Sequence, residues 1–516
     1  MSTTYAGTPT VQPATNPWLV IVTLMVGTLA AVMGSSTINT ALPDITAGLA
    51  ITQDQMSWVA TAYMLANVIA IPSAAWLGSL LSKRILFGLG VAVFMVGSVL
   101  CGVAWDFSSL IAFRVLQGLG AGVIMPTAQS LLFEVFPPDK RGMAMGIFGL
   151  GAIMGPALGP TVGGYLVQLF GWRSIFFINL PFGLVSLVLL GTLPRAPRRT
   201  DLVFDAPGFV SMVLFLSCLQ IGVSNGAKDG WDAPYIVGCF VVSAVSFVYL
   251  IWRELTTAHP LLDLRVFKYP IYNLSTVVSL VVGLGLFGST FLVPVILGSM
   301  LGYSALQIGL VLLPGSLVMG VAMLVAGRLS DLIDSRILLG LGLALFGYGL
   351  YMQALAGIDS PESYHAWAQF YRGLGMGLSF SPLSAVAIGG VPPAQIAQAT
   401  GLFNLTRQLA GSIGIAALNT LLVTRSVHHS TMIGQAMSGQ SEVTQRFLAN
   451  ARAMLIARGM APDQATLGAS SLLGNLVRQQ VMVLAFADLF YICLAVVLFG
   501  LLPVLLLKPP RRRKGG

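Results

Sequence analysis

Charged and polar side chains are rare inside the long apolar stretches of this sequence, and Arg114 is the clearest case. Arg114 lies six residues into a predicted helix, and Gln117 follows one turn later on the same face. Exposing an arginine to lipid is costly, so Arg114 must face a cavity or a partner. The alternative is a structural arginine whose guanidinium binds carbonyl groups of a neighbouring helix.

A second polar cluster lies in the segment NLTRQLAG, near one face of a later helix. It contains Asn404, Arg407 and Gln408. Polar clusters of this kind face the interior of a helix bundle. We expect either a role in a substrate cavity or hydrogen bonding between helices.

Five polar residues of the first two apolar segments are candidates for contact with a substrate. They are Ser35, Ser36, Asn39, Tyr63 and Asn67. Each can form a hydrogen bond with a bound molecule, but serine and asparagine also join helices to one another in membranes.

Groups that could perform acid–base or metal chemistry are scarce. Asp488, in LAFADLF, is the most deeply placed acid, whereas Asp44 and Glu134 lie near helix ends. No HxxH pattern or paired carboxylates occur, so the sequence predicts no metal site, no cofactor and no enzyme. The four histidines lie in predicted loops or at a helix edge: His259, His365, His428 and His429.

The composition is that of an integral membrane protein. The 516 residues are 56% hydrophobic and 9% charged, with a mean hydropathy of +0.85. Soluble domains carry about 25% charged residues. The excess of 27 Lys and Arg over 18 Asp and Glu does not predict nucleic-acid binding, because it lies in short clusters between apolar runs.

The apolar runs predict an all-α protein with about fourteen membrane-spanning helices of about 20 residues each. In order, they cover residues 18–41, 56–78, 84–104, 108–133, 142–168, 174–193, 206–226, 233–253, 271–299, 306–327, 336–356, 364–389, 396–423 and 481–506. Basic clusters such as Lys140–Arg141 and Arg511–Lys514 fall on one side, which predicts that both termini are cytoplasmic. The segment 424–480 is an exception to this distribution of basic residues, because it carries five arginines on the outer side.

An internal repeat organises the chain. RILFGLGVAVF at 84–94 matches RILLGLGLALF at 336–346, and QGLGAG at 117–122 matches RGLGMG at 372–377. Two similar halves that face the same way are the layout of a transporter with its cavity between the halves. We expect a cytoplasmic tail, a six-helix half, a two-helix insert, a second six-helix half with an outer loop at 424–480, and a basic tail, at 1–17, 18–195, 196–265, 266–507 and 508–516.

A stripe of glycines occupies the segment GIFGLGAIMGPALGPTVGG at 146–164. Small residues every fourth position let a neighbouring helix pack closely, and prolines inside a helix favour a kink. We expect this stripe to act as a hinge, although a purely structural packing surface is the alternative. Its residues are Gly151, Gly155, Pro156, Gly159, Pro160, Gly163 and Gly164.

These motifs carry a family resemblance. GPALGPTVGG at 155–164, WRSIFFINLP at 172–181 and RVLQGLGAG at 114–122 resemble the major facilitator superfamily, in particular its fourteen-span drug:proton antiporters, the EmrB-like multidrug exporters. The resemblance implies alternating access, in which proton entry drives efflux from an inner membrane. On this basis we assign proton coupling to Arg114, Gln117, Arg407 and Asp488.

Two segments depart from the family pattern. Gly34, in GSSTINTALP, replaces an acid that relatives carry, which favours neutral or anionic substrates. In AWLGSLLSKR, Ser79 replaces the aspartate of the cytoplasmic motif, whereas the second copy, GRLSDLIDSR, keeps Gly327, Asp331 and Arg336. An aspartate near a helix start can act as an anionic latch, so we assign the cytoplasmic gate to this copy.

The expected partners are a small amphipathic substrate and the lipid bilayer. The segment 424–480 contains two helical apolar patterns. Relatives with such a loop pair with a periplasmic adaptor and an outer-membrane channel, but packing on the transporter's own rim would also cover these faces. The competing functions are a proton-coupled importer of a metabolite and a membrane-embedded enzyme.

Overall fold

The computed structural model describes residues 16–194, 205–257, 260–303, 305–330, 332–437 and 442–507, which form helices and no strand. The N-terminal half comprises α1 (Pro17–Ser36), α2 (Ile38–Gly48), α3 (Gln53–Leu81), α4 (Lys83–Gly102), α5 (Phe107–Val135), α6 (Arg141–Phe170), α7 (Ser174–Phe177) and α8 (Asn179–Val188). The insert comprises α9 (Ala206–Asp229) and α10 (Pro234–Thr256). The C-terminal half comprises α11 (Pro270–Ser299), α12 (Ala305–Ser330), α13 (Ser335–Ala354), α14 (Glu362–Gly389), α15 (Ile396–Ala436), α16 (Glu442–Ala457), α17 (Pro462–Phe499) and α18 (Leu501–Leu506).

Every predicted span coincides with a helix or a pair of consecutive helices. Twelve helical segments of the described chain are long and apolar enough to cross a membrane. The other two positions hold α6 and α14, which have 30 and 28 residues. Pro17 at the start of α1, Val135 at the end of α5 and Arg328 near the end of α12 lie together at one end of the bundle, here called the terminal end.

Three helix boundaries differ from the ends of the predicted spans, because hydropathy reports contact with lipid and not the point where a helix stops. The first span ends at Ser36, and α2 continues after it. Helix α15 extends beyond the predicted end at residue 423 to Ala436, and α17 begins at Pro462 instead of residue 481. Most of the described part of the predicted outer loop is therefore helical, and α16 lies between the two extensions.

The repeat is preserved in the packing of the helices. A Cβ built on Gly97 of α4 would lie 2.7 Å from the backbone nitrogen of Gln117, and a Cβ on Gly349 of α13 would lie 2.7 Å from that of Arg372. Gly342 and Gly375 likewise repeat the close contact that Gly90 and Gly120 make between α4 and α5. Glycine is required at these crossings because the backbones touch.

The two halves meet close to the terminal end. A Cβ on Gly146 of α6 would lie 2.6 Å from the carbonyl oxygen of Met323 of α12, and a Cβ on Gly327 would lie 3.0 Å from the Cα of Gly146. The hydroxyl of Ser381 on α14 donates to the carbonyl oxygen of Gly142 at 3.0 Å. Helices α6, α12 and α14 thus bring the halves together at this end.

Candidate functional site

Arg114 lies in the core of the N-terminal half and is fully buried, with 0% exposure. Its Nε donates to the carbonyl oxygen of Val59 at 3.0 Å, and its Nη1 donates to Oε1 of Gln117 at 2.6 Å and lies 3.5 Å from the carbonyl oxygen of Gly34. The guanidinium also lies 4.3 Å from the centre of the Tyr63 ring. The carbonyl groups of α1 and α3 and a side chain of α5 therefore hold the cation.

Gln117 extends this network to two further helices. Its Nε2 donates to the Ser98 hydroxyl of α4 at 2.6 Å, and Nδ2 of Asn179 on α8 lies 3.4 Å from the same hydroxyl. The Tyr63 hydroxyl donates to the carbonyl oxygen of Ala31 at 3.0 Å. We call Arg114, Gln117, Ser98, Tyr63 and Asn179 the N-terminal cluster. It joins five helices of one half.

The serines predicted to contact a substrate make hydrogen bonds within the protein in this conformation. The Ser35 hydroxyl donates to the carbonyl oxygen of Val32 at 2.8 Å, and the Ser36 hydroxyl donates to that of Gly155 at 2.9 Å. Asn67 lies on α3, half-buried beside the N-terminal cluster. Asn39 lies on α2, and its side chain is outside the described part of the structure.

The predicted cluster on α15 connects the two halves. Nδ2 of Asn404 donates to Oε1 of Gln129 on α5 at 2.6 Å, and Nη2 of Arg407 donates to Oδ1 of Asn404, also at 2.6 Å. The Arg407 guanidinium lies 4.6 Å from the centre of the Phe380 ring. Gln408 is half-buried next to this network.

The glycine stripe packs against α1 along its length. A Cβ on Gly151 would lie 2.8 Å from the carbonyl oxygen of Met25, and one on Gly155 would lie 3.0 Å from the nitrogen of Met33. Gly159 is in contact with Ser36, whereas Gly164 has no neighbour within 4 Å. Helix α6 thus contacts the C-terminal half through its first turns. It contacts α1 of the N-terminal half through the glycine stripe.

Three further residues of the motif have only their backbone or burial described. Helix α6 continues through Pro156 and Pro160 without interruption, and the side chains of these prolines lie outside the described part. Gly163 is buried.

The comparisons with known proteins agree with this architecture. Residues 24–415 match the Major Facilitator Superfamily. The chain belongs to this superfamily. It is 32% identical over 517 residues to the multidrug export protein EmrB of Escherichia coli (strain K12), covering 98% of each chain. It is 28% identical to the fatty acid resistance protein FarB of Neisseria gonorrhoeae, over 98% of this chain and 99% of the relative.

A solved structure shows the same fold at greater distance. The human organic anion transporter MFSD10 (TETRAN) superposes with a TM-score of 0.55 over 94% of this chain and 100% of that chain, at 13% identity. Family membership and the EmrB relatives together identify a multi-pass membrane transporter and not an enzyme. In the described residues, no group of three or more His, Cys, Asp or Glu side chains could hold a metal ion.

The gate assigned to the second cytoplasmic motif is described in part. Gly327 lies at the crossing of α12 with α6, whereas Asp331 lies outside the described residues. The Arg336 backbone nitrogen donates to Oδ1 of Asp334 at 3.0 Å, and its Nε lies 3.9 Å from the other carboxylate oxygen. The latch role of Asp331 remains a prediction for this superfamily member.

Asp488 bridges the extended helices α15 and α17. Its Oδ2 lies 2.9 Å from Nε2 of His429 and 3.7 Å from Nε of Arg425. Asp488 is partly exposed, and it shares its carboxylate with a histidine and an arginine of α15. The sequence placed His429 in a loop, because the apolar run of α15 stops before the helix does.

The core of the C-terminal half contains a polar stripe that the sequence reasoning missed. His365, Gln369 and Arg372 lie on one face of α14 and are at most 9% exposed. Nδ1 of His365 lies 3.0 Å from Oε1 of Gln353 on α13. Nη1 of Arg372, Nε2 of Gln369 and Nε2 of His365 are buried without a hydrogen-bond partner. The signal was available, because the repeat aligns Arg114 with Gln369 and Gln117 with Arg372.

A cavity of about 510 Å³ lies at the terminal end, away from both polar clusters. Lys140 and Asp139 line it from the N-terminal half, and Arg328 and Leu332 line it from the C-terminal half. None of the residues predicted to contact a substrate lines this cavity. It therefore lies where the halves meet.

Proposed function

We propose that the protein exports amphipathic small molecules, such as hydrophobic drugs, uncouplers, fatty acids or an endogenous metabolite, by proton-driven alternating access. The observation that carries this proposal is the similarity along 98% of both chains to a multidrug export protein. The name of FarB, a fatty acid resistance protein, supports including amphipathic acids among the substrates.

The packing between the halves supports alternating access. Gly146 meets Gly327 near the terminal end, and Asn404 binds Gln129 near the same end. Away from this end, the glycine stripe of α6 turns to α1 of its own half. With the terminal end cytoplasmic, this arrangement corresponds to a state closed toward the cytoplasm, and the return requires these contacts to part.

For proton coupling, we propose that Arg114 and Gln117 respond to the protonation state of the translocation path, together with Arg407 and Asp488. Arg114 binds carbonyl groups of both α1 and α3, so a change in its hydrogen bonding moves two helices of the N-terminal half. Asp488 and His429 form a hydrogen-bonded pair between α15 and α17. The proton gradient is the only energy source in this proposal.

The apolar surface of the helical extensions supports an adaptor as a further partner. Val427 of α15, Val443 of α16 and Leu467 of α17 are each more than 60% exposed. We propose that these exposed apolar side chains form part of a surface that contacts a protein partner. We propose that a periplasmic adaptor leading to an outer-membrane channel docks here, and that the protein lies in an inner membrane with both termini cytoplasmic.

Everted membrane vesicles test the proposed activity. With an acidic interior, vesicles that contain the protein should accumulate a hydrophobic anionic or neutral dye, and a protonophore should abolish the accumulation. The variant Arg114→Ala, normalised to the amount of folded protein, should not accumulate dye. Movement of the dye out of the vesicles would identify an importer, and accumulation without a gradient would contradict proton coupling.

A further inference from the structure

The two repeated halves place an arginine and a glutamine at equivalent positions of α5 and α14, but in opposite order. Arg114 precedes Gln117 in α5, whereas Gln369 precedes Arg372 in α14. The guanidinium of the C-terminal half therefore lies three residues further along its helix, about 4.5 Å deeper from the helix start. The same two side chains thus form two different sites.

The partners of the two arginines differ as well. The Tyr63 ring covers Arg114, but the repeat aligns Tyr63 with Gly315, so α12 offers no ring to Arg372. Within the described residues, no carboxylate lies within 4.0 Å of Arg372, and no aromatic ring lies over its guanidinium. Arg372 is a buried cation without the compensation that Arg114 has.

Two of the unpartnered atoms on one face of α14 are hydrogen-bond donors. Nη1 of Arg372 and Nε2 of Gln369 can only donate, and both are buried without an acceptor. These residues lie three positions apart, so their side chains are neighbours on the helix surface. His365 is one turn nearer the start of the helix. Its Nδ1 donates to Oε1 of Gln353, so the Nε2 of the neutral ring is an acceptor and adds no donor to this face.

We propose that Arg372 and Gln369 form an anion-binding site in the core of the C-terminal half. A buried cation needs a counter-charge, and two unpartnered donors need an acceptor. A halide ion or the carboxylate of an amphipathic acid provides both. The site does not depend on the proposed direction of transport, because binding is measured on the purified protein at rest.

The experiment measures the thermal unfolding of the purified full-length protein in detergent. Sodium chloride is titrated against sodium gluconate at constant ionic strength, and a second series compares decanoate with decanol. Chloride or decanoate, but not decanol, should raise the Tm saturably by about 2 °C, because a ligand that binds only the folded state stabilises it. A chloride response identifies an inorganic anion, and a response to decanoate alone identifies an organic carboxylate.

Matched variants localise the effect. Arg372→Gln should abolish the anion response, whereas Arg446→Gln, which removes an exposed arginine paired with Glu442 on α16, should retain it. Gln369→Met keeps the charge and should weaken the response, which provides a second test if Arg372→Gln does not fold. An unchanged Tm of the wild-type protein in both anions, or a full response in a folded Arg372→Gln variant, would overturn the proposal.

Discussion

The two polar clusters occupy equivalent places in the two halves, but their arginines differ in hydrogen bonding. Arg114 distributes its donors over two carbonyl oxygens and Gln117, while Tyr63 covers its face. Arg372 is buried with an unpartnered Nη1. The difference shows that a repeat can conserve backbone crossings, such as Gly97 and Gly349, while the side chains at those crossings acquire different tasks.

Removing each arginine in turn tests whether the two clusters differ in their contribution to stability. Arg114→Ala should lower the free energy of unfolding by about 3 kcal/mol, because buried carbonyl groups and Gln117 lose their donor. Arg372→Gln, in chloride-free buffer, should change it by less than about 1 kcal/mol, because it removes an uncompensated charge. Denaturant titration of both variants measures the difference. Equal losses would show that Arg372 has compensation equivalent to that of Arg114.

The sequence predicted the helices but not the partners of their polar residues. Hydropathy located fourteen spans because lipid demands long apolar helices. It did not predict that Ser36 would bind the carbonyl oxygen of Gly155, since a helical hydroxyl can serve a substrate or a neighbouring helix equally well. His365 was assigned to a helix edge, yet packing of α13 buries it.

The internal repeat also contains a difference between the two halves that is visible in the sequence. The aligned segments RVLQ at 114–117 and QFYR at 369–372 already show the reversed order of the arginine and the glutamine. Their different hydrogen bonding depends on contacts between helices far apart in the sequence, such as Val59 with Arg114. Such contacts cannot be derived from a single helix pattern.

A bulky residue at the crossing of α6 with α12 tests whether the contact between the halves is needed for transport. Gly146→Leu places a side chain against the backbone of α12, so it should cost about 1–3 kcal/mol in the state closed at the terminal end and reduce vesicle transport about fivefold or more. Gly340→Leu is the control, because a Cβ at Gly340 meets nothing within 4 Å. Normal transport by Gly146→Leu would mean that this contact never forms during the cycle.

A smaller effect is expected where α15 and α17 extend past the predicted spans. His429→Asn removes the histidine bound to Asp488 and should destabilise the protein by less than about 1 kcal/mol, since the pair is partly exposed. His428→Asn is the matched control on the neighbouring position. Vesicle transport driven by the same pH gradient should change for the first variant alone, and an identical change in both would remove the pair from proton coupling.

Alternating access requires the two halves to part and rejoin at the terminal end. Spin labels at Lys140 and Leu332, exposed residues on opposite walls of the terminal cavity, report this distance directly in a background without the four native cysteines. We expect a population of molecules with a short distance between the two labels, and we expect a population with a longer distance to replace it when pH or substrate is changed. A single distance that remains constant under all these conditions would contradict alternating access in this protein.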